Sequence, residues 1–159
     1  MQDERILHQA DEAYGVLLGM LDGGGWRYAK DAPSRSVEFA VKGGSGPIAL
    51  RLVIEASMQL ILVYSPLSFR FGEERRVDGA VALNAVNCQL SYGSFDLDLS
   101  TGAVVFRLSS SIRRSIPSPQ LYEALIAAAC ATVDKYAQQL LRFSKGEIAF
   151  PDLYRWINS

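Results

Sequence analysis

The chain has 159 residues, 49% hydrophobic and 21% charged, a balance that excludes the disordered class. One domain is expected, burying roughly 70% of the surface of the unfolded chain, so no disulfide or metal staple is needed. Sixteen basic against seventeen acidic residues give a net charge of −1, without the basic excess that phosphate-backbone binding requires, and nucleic acid is excluded as an expected partner.

From Asp3 to Asp22, Ile6, Leu7, Ala10, Tyr14, Leu17, Leu18 and Leu21 recur at three- and four-residue spacings, which predicts an amphipathic helix. Gly23-Gly24-Gly25 ends it, because residues without a β-carbon favour a left-handed cap. Trp26-Arg27-Tyr28 reads as an aromatic strand start, followed by a turn around Asp31 to Ser34. Val37, Phe39 and Val41 alternate with polar or small neighbours up to the Gly43-Gly44-Ser45-Gly46-Pro47 loop. Ile48–Ile54 and Leu60–Tyr64 are more continuously apolar and are expected as a central hairpin turning near Ala56-Ser57. Ser65-Pro66 is expected to break the last strand, leaving Leu67 to Gly72 as a loop that displays Leu67, Phe69 and Phe71.

A second helix is predicted from about Glu73 to Cys88, carrying Asn84 and Asn87, whose expected work is to hydrogen-bond backbone at the helix end. Phe95, Leu97 and Leu99 alternate with polar residues, Thr101-Gly102 turns the chain, and Val104, Phe106 and Leu108 return with the same period. Ser118-Pro119 opens the longest helix, with a hydroxyl cap followed by proline at the first helical position. Gly146 ends it, and Leu153, Trp156 and Ile157 form an i, i+3, i+4 cluster in a short last helix. The expected fold is α+β, an antiparallel sheet with helices against it in the order α-ββββ-α-ββ-α(-α). Residues 1–159 read as a single domain, with 147–159 as a C-terminal extension.

No residue set carries catalysis. His8, the single histidine, has no orienting acid or nucleophile beside it in the pattern. Asp96 and Asp98 alternate with apolar residues as a solvated sheet face does, and hard cations want more oxygens than such a pair supplies. The two glycine-rich stretches lack G-K-[ST] and precede no helix, so they read as turns. Arg70, Arg75 and Arg76 interleave with Glu73, Glu74 and Asp78 and are expected to form surface ion pairs. Cys88 and Cys130, without C-x-x-C spacing, read as buried free thiols of a reducing compartment. Acidic residues occupy the start of the chain, where a secretory signal would be basic, and no apolar run is long enough for a membrane span. A cytoplasmic protein with no cofactor, no metal and no membrane contact is expected.

The helix with Leu83-Asn84-Ala85-Val86-Asn87, the strand Phe95-Asp96-Leu97-Asp98, the Thr101-Gly102 turn and the strand Val104-Val105-Phe106-Arg107-Leu108 together resemble the YbjN-like domain family. The late helix from Ser118-Pro119-Gln120-Leu121 to Asp134 is similar to that family's last element, so the likeness spans about residues 15 to 140. The resemblance implies the type III secretion chaperone fold and protein contacts rather than catalysis, with no catalytic residue to carry over. It places Asn84 and Asn87 in the family's helix motif; Phe150 to Ile157 lies outside the match. The expected function is a non-catalytic, chaperone-like interaction or regulatory module, a homodimer that binds a protein partner through Leu67, Phe69, Phe71, Leu153 and Trp156. The alternative is a small-molecule-binding domain or cryptic enzyme with a pocket between sheet and helices.

Overall fold

The structure, a computed structural model, describes residues 3–159. Helix α1 (Glu4–Gly23) begins where the Asp3 carboxylate accepts the Arg5 backbone N–H at 3.0 Å, and it buries Ala10, Ala13, Tyr14, Leu17 and Leu21. Four strands follow, β1 (Ala29–Asp31), β2 (Ser36–Gly43), β3 (Gly46–Glu55) and β4 (Leu60–Arg70). A 3-10 turn at Glu73–Arg75 leads into α2 (Arg76–Asn87), then come β5 (Ser94–Leu97) and β6 (Ala103–Ser111). Helices α3 (Pro119–Ser144) and α4 (Phe150–Ile157) end the chain. The order is the one expected from the sequence, α-ββββ-α-ββ-α-α.

The six strands form one antiparallel sheet in the order β1-β2-β3-β4-β6-β5. The hydrophobic period of two sends Val37 and Phe39, Leu50 and Leu52, Ile61 and Val63, Phe95, and Phe106 and Leu108 to one face, where they meet the apolar stripes of the helices in a common core. Two buried phenols tie the layers together: Tyr122 on α3 donates to the Ala13 carbonyl at 2.7 Å, and Tyr14 on α1 donates to the Ser36 carbonyl at 2.9 Å. Desolvation pushes the Tyr122 phenol well above its ordinary pKa, so it stays a neutral donor.

Four details differ from the sequence-based expectation. Trp26-Arg27-Tyr28 precedes β1 rather than opening it, with Trp26 packing edge-on against Phe39 at 5.1 Å between ring centroids. Leu99 falls beyond β5, in the turn before β6, and is 61% exposed. Cys88 is exposed at the C-cap of α2, and Cys130 is only half-buried.

The fourth difference positions the site. β4 does not break at Pro66 but continues to Arg70, paired with β6 through a bulge. The Ile54 N–H donates to the Arg35 carbonyl on the β2 side, so alternation turns Pro47, Ala49, Arg51 and Val53 toward β4. The partners of Arg51 and Val53, Tyr64 and Leu62, face back toward β3, and Pro66 continues that set. The missing N–H of Pro66 therefore costs no bond to β6, because it points to the side where β3 has already left; pairing of β3 with β4 ends at Arg51–Tyr64.

Candidate functional site

Beyond Tyr64 the two central strands diverge. Continuing their register would set Ala49 opposite Pro66 and Pro47 opposite Ser68, and in each of these hydrogen-bonding pairs a proline removes one of the two donors. At the fork Ser65, fully buried, turns its hydroxyl into the gap and donates to the Ala49 carbonyl at 2.7 Å, replacing the ladder bond that Pro66 cannot make. A cleft of about 560 Å³ opens between the strands, with α3 as its floor.

Leu67 and Phe69 come from β4, Ile48 from β3, and Val133, Ala137 and Leu141 from α3, so the lining is chiefly apolar. The β2–β3 turn closes one end. There the Gly44 N–H donates to Asp134 Oδ1 at 2.7 Å and the Ser45 hydroxyl donates to Gln138 Oε1 at 3.4 Å. The turn presses so closely on α3 that a β-carbon at Gly43 would come within 2.8 Å of the same carboxylate oxygen.

The outer face of the sheet adjoins this cleft, since Ala49 and Pro66 line both. It is a trough of about 820 Å³ bounded by strand residues alone, among them Val53, Leu62, Tyr64 and Val105. Leu62 lies outside the main core although it is only 9% exposed, because its neighbours on the same face shield it. Tyr64 sits in the middle of a cross-strand row that runs Glu38, Arg51, Tyr64, Arg107, Ser94. Arg107 is held by Asp96 at 2.7 Å, and Arg51 by Glu38 at 3.7 Å. The apolar centre of the trough is thus bordered by charge-compensated pairs.

The candidates from the sequence are scattered by the fold. Leu67 and Phe69 are half-buried in the cleft wall, whereas Phe71 is 1% exposed and Leu153 fully buried, so neither presents a surface to a partner. Phe71 is drawn in because α2 carries Gly79 beneath its ring, where a β-carbon would lie 2.8 Å from the ring. Leu153 is drawn in because α4 folds back onto α2 and α3. Trp156 packs edge-on against Tyr136, with ring centroids 5.7 Å apart.

Asn87 makes a reciprocal pair with Phe95, its Nδ2 donating to the carbonyl at 3.0 Å and its Oδ1 accepting the N–H at 2.8 Å, which fixes β5 against α2. Asn84 is exposed, and its backbone carbonyl takes the Cys88 N–H. Arg75 and Arg76 cap carbonyls instead of pairing with the neighbouring acids: Arg75 donates to Phe143 at 2.7 Å and Arg76 to Ser100 at 3.0 Å. The Phe143 carbonyl at the end of α3, which also takes the Gly146 N–H at 3.0 Å, and the carbonyls of the β5–β6 turn draw them inward. His8 is exposed beside Glu12 at 3.5 Å. Among the described residues no cluster of three or more metal-ligating side chains occurs, and no helix is long and apolar enough to cross a membrane.

Sequence reasoning did not single out Pro47, Ala49, Ser65 and Asp134, or the outer-face residues Val53, Leu62, Tyr64 and Val105. The signal was present in β3 and β4, which are apolar at both parities although one face alone is covered by helices.

An antiparallel sheet with its helices on one face, in this order, is an α+β fold, one that this chain shares with a chain of a chaperone–effector complex. The chain belongs to the YbjN family, whose model, described as "Putative bacterial sensory transduction regulator", matches residues 14–142. A crystal structure of YbjN, described as "a putative transcription regulator from E. coli", is similar with a TM-score of 0.62 at 12% identity, covering 82% of this chain and 90% of that one. The HopA1–SchA chaperone–effector complex has a similar chain, with a TM-score of 0.50 at 14% identity and coverage of 86% and 94%. The ExsC–ExsE complex has another, with a TM-score of 0.52 at 11% identity and coverage of 80% and 95%. At these identities the likeness is one of fold. No curated protein matches the chain.

Proposed function

We propose that the chain is a non-catalytic, chaperone-like interaction module of the cytoplasm that docks a protein partner on the outer face of its sheet. The observation that carries this reading is that the two central strands place Val53, Leu62 and Tyr64, beside Val105, on a face that no helix covers. An apolar sheet face flanked by charged residues has the composition of an interface with an apolar centre and a polar rim. The fold shared with a chain of a chaperone–effector complex supports the same reading. In this reading residues 1–159 act as one unit, with 147–159 as an extension closing the helical layer, and the working form is a homodimer.

The test is affinity capture from the lysate of the protein's own host, using the parent chain and the variants Val53→Glu and Val105→Glu, each first checked for an unchanged melting temperature. Proteins retained by the parent and lost with both variants support docking on this face. Capture that both folded variants leave intact removes the face from the reading.

The cleft favours a second reading, a small-molecule site between sheet and helix. It is concave, chiefly apolar and has polar groups converging at one end, and its volume lies within the range of about 300–1,000 Å³ usual for such sites.

A further inference from the structure

We propose that the cleft between β3 and β4 binds an alkylammonium ligand, a molecule with an aliphatic body and one cationic head. The inference rests on the ligand-site reading of the cleft and names the chemistry that reading leaves open. Leu67, Phe69, Ala137 and Leu141 supply an apolar bed for the body. Asp134 is the one charged side chain among the described residues that line the cleft. Its Oδ1 is fixed by the Gly44 N–H at 2.7 Å, which orients the carboxylate, and no hydrogen-bond donor among the described residues takes Oδ2, which is left for a ligand N–H.

Pinning the β2–β3 turn needs only an acceptor, which a neutral amide would supply as well, so the negative charge of Asp134 is surplus to that structural task. A carboxylate-bearing ligand would meet this charge with no lining cation to offset it. An inserted peptide strand is disfavoured too. Pro47 and Pro66 remove the donors that would face it, and the Ala49 carbonyl is already taken by Ser65.

The test titrates the full chain with n-decylammonium, decanol and decanoate, three probes that share a tail and differ in head charge. Calorimetry gives the affinity, and the amide NMR signal of Gly44, whose N–H is bonded to Asp134, reports the place. Decylammonium is expected to bind about two- to fivefold more tightly than decanol, as one charge-assisted contact at an exposed carboxylate provides, with decanoate weakest. Asp134→Asn, which keeps the acceptor for Gly44, erases the preference for the ammonium over the alcohol; Asp134→Glu retains it. Ala137→Leu, which fills the bed, weakens all the probes that bind.

Equal binding of the three probes by the parent chain, which needs no variant to interpret, overturns the cationic assignment and leaves a neutral apolar site. A preference that survives Asp134→Asn overturns it as well. Saturable binding by none of the three overturns both this inference and the ligand-site reading beneath it.

Discussion

Asn87 and Asn84 stand three positions apart in α2, yet only Asn87 meets backbone with its side chain, closing both hydrogen bonds to Phe95. Asn87→Ala leaves two partly buried backbone groups without partners and is expected to cost about 1–3 kcal/mol, while Asn84→Ala stays within about 0.5 kcal/mol, both read from denaturant unfolding. The sequence placed the two asparagines equally, because helical position alone does not say which side chain reaches the strand that follows. Gly102 was legible as a turn residue, and its φ of +75° explains why. What no sequence pattern showed is that a β-carbon there would fall on the Phe71 carbonyl, next to the N–H that donates to Gly102 itself at 2.9 Å. In the same turn the Ser100 hydroxyl and then its backbone N–H, at 2.6 and 2.8 Å, hold the Asp98 carboxyl below its ordinary pKa. Its folded-state value is thus lower than its unfolded one, so the stabilisation is present above the unfolded value and fades as pH falls through the folded one. Asp98→Ala is expected to be less stable than the parent near neutrality, with the gap narrowing below about pH 4. A gap independent of pH in paired unfolding curves would contradict this.

At the scale of elements, the order of helices and strands was readable because each has its period and its punctuation: Ser118-Pro119 for α3, Gly23-Gly24-Gly25 at the end of α1, Thr101-Gly102 between β5 and β6. Pro66 misled because the effect of a proline in a strand depends on which neighbour its nitrogen faces, and that is set by register, a long-range property. Pro47→Ala with Pro66→Ala restores both missing donors. The β3–β4 ladder is then expected to extend past Tyr64, with the new amide at position 66 protected from hydrogen exchange; a fast-exchanging amide there would show that something other than the prolines holds the cleft open. The last helix belongs to the same scale. Leu153 and Ile157 are buried, and Phe150 meets Phe143 with ring centroids 6.4 Å apart. Truncation before Glu147 is expected to remove roughly 3–6 kcal/mol of burial, counting those two aliphatic side chains alone, and so to lower the melting temperature. An unchanged melting temperature would mean that α4 does not hold this position in solution.

For the molecule as a whole, the sheet and its helical layer followed from the patterns, but the uncovered face did not. Apolar residues at both parities of β3 and β4 are what a sheet buried on both sides would also show, and a single sequence does not say whether the second cover comes from the chain itself or from outside it. The helical layer poses the same question on its own outer surface. There Val77 and Val81 on α2 are 73% and 51% exposed, and Tyr154 on α4 is 51% exposed. Val77 and Val81 are separated by one helical turn and therefore share a side of α2, so a twofold axis would set the same stripe of two copies against each other. A stable contact needs about 800 Å² per partner, which requires α4 to contribute beside α2. The full chain is expected to sediment as a dimer that dissociates on dilution, and Val81→Glu, which puts like charges across the axis, to give a monomer with an unchanged melting temperature. A parent chain that is monomeric at every concentration removes the homodimer, and a dimer that survives Val81→Glu moves its interface away from α2.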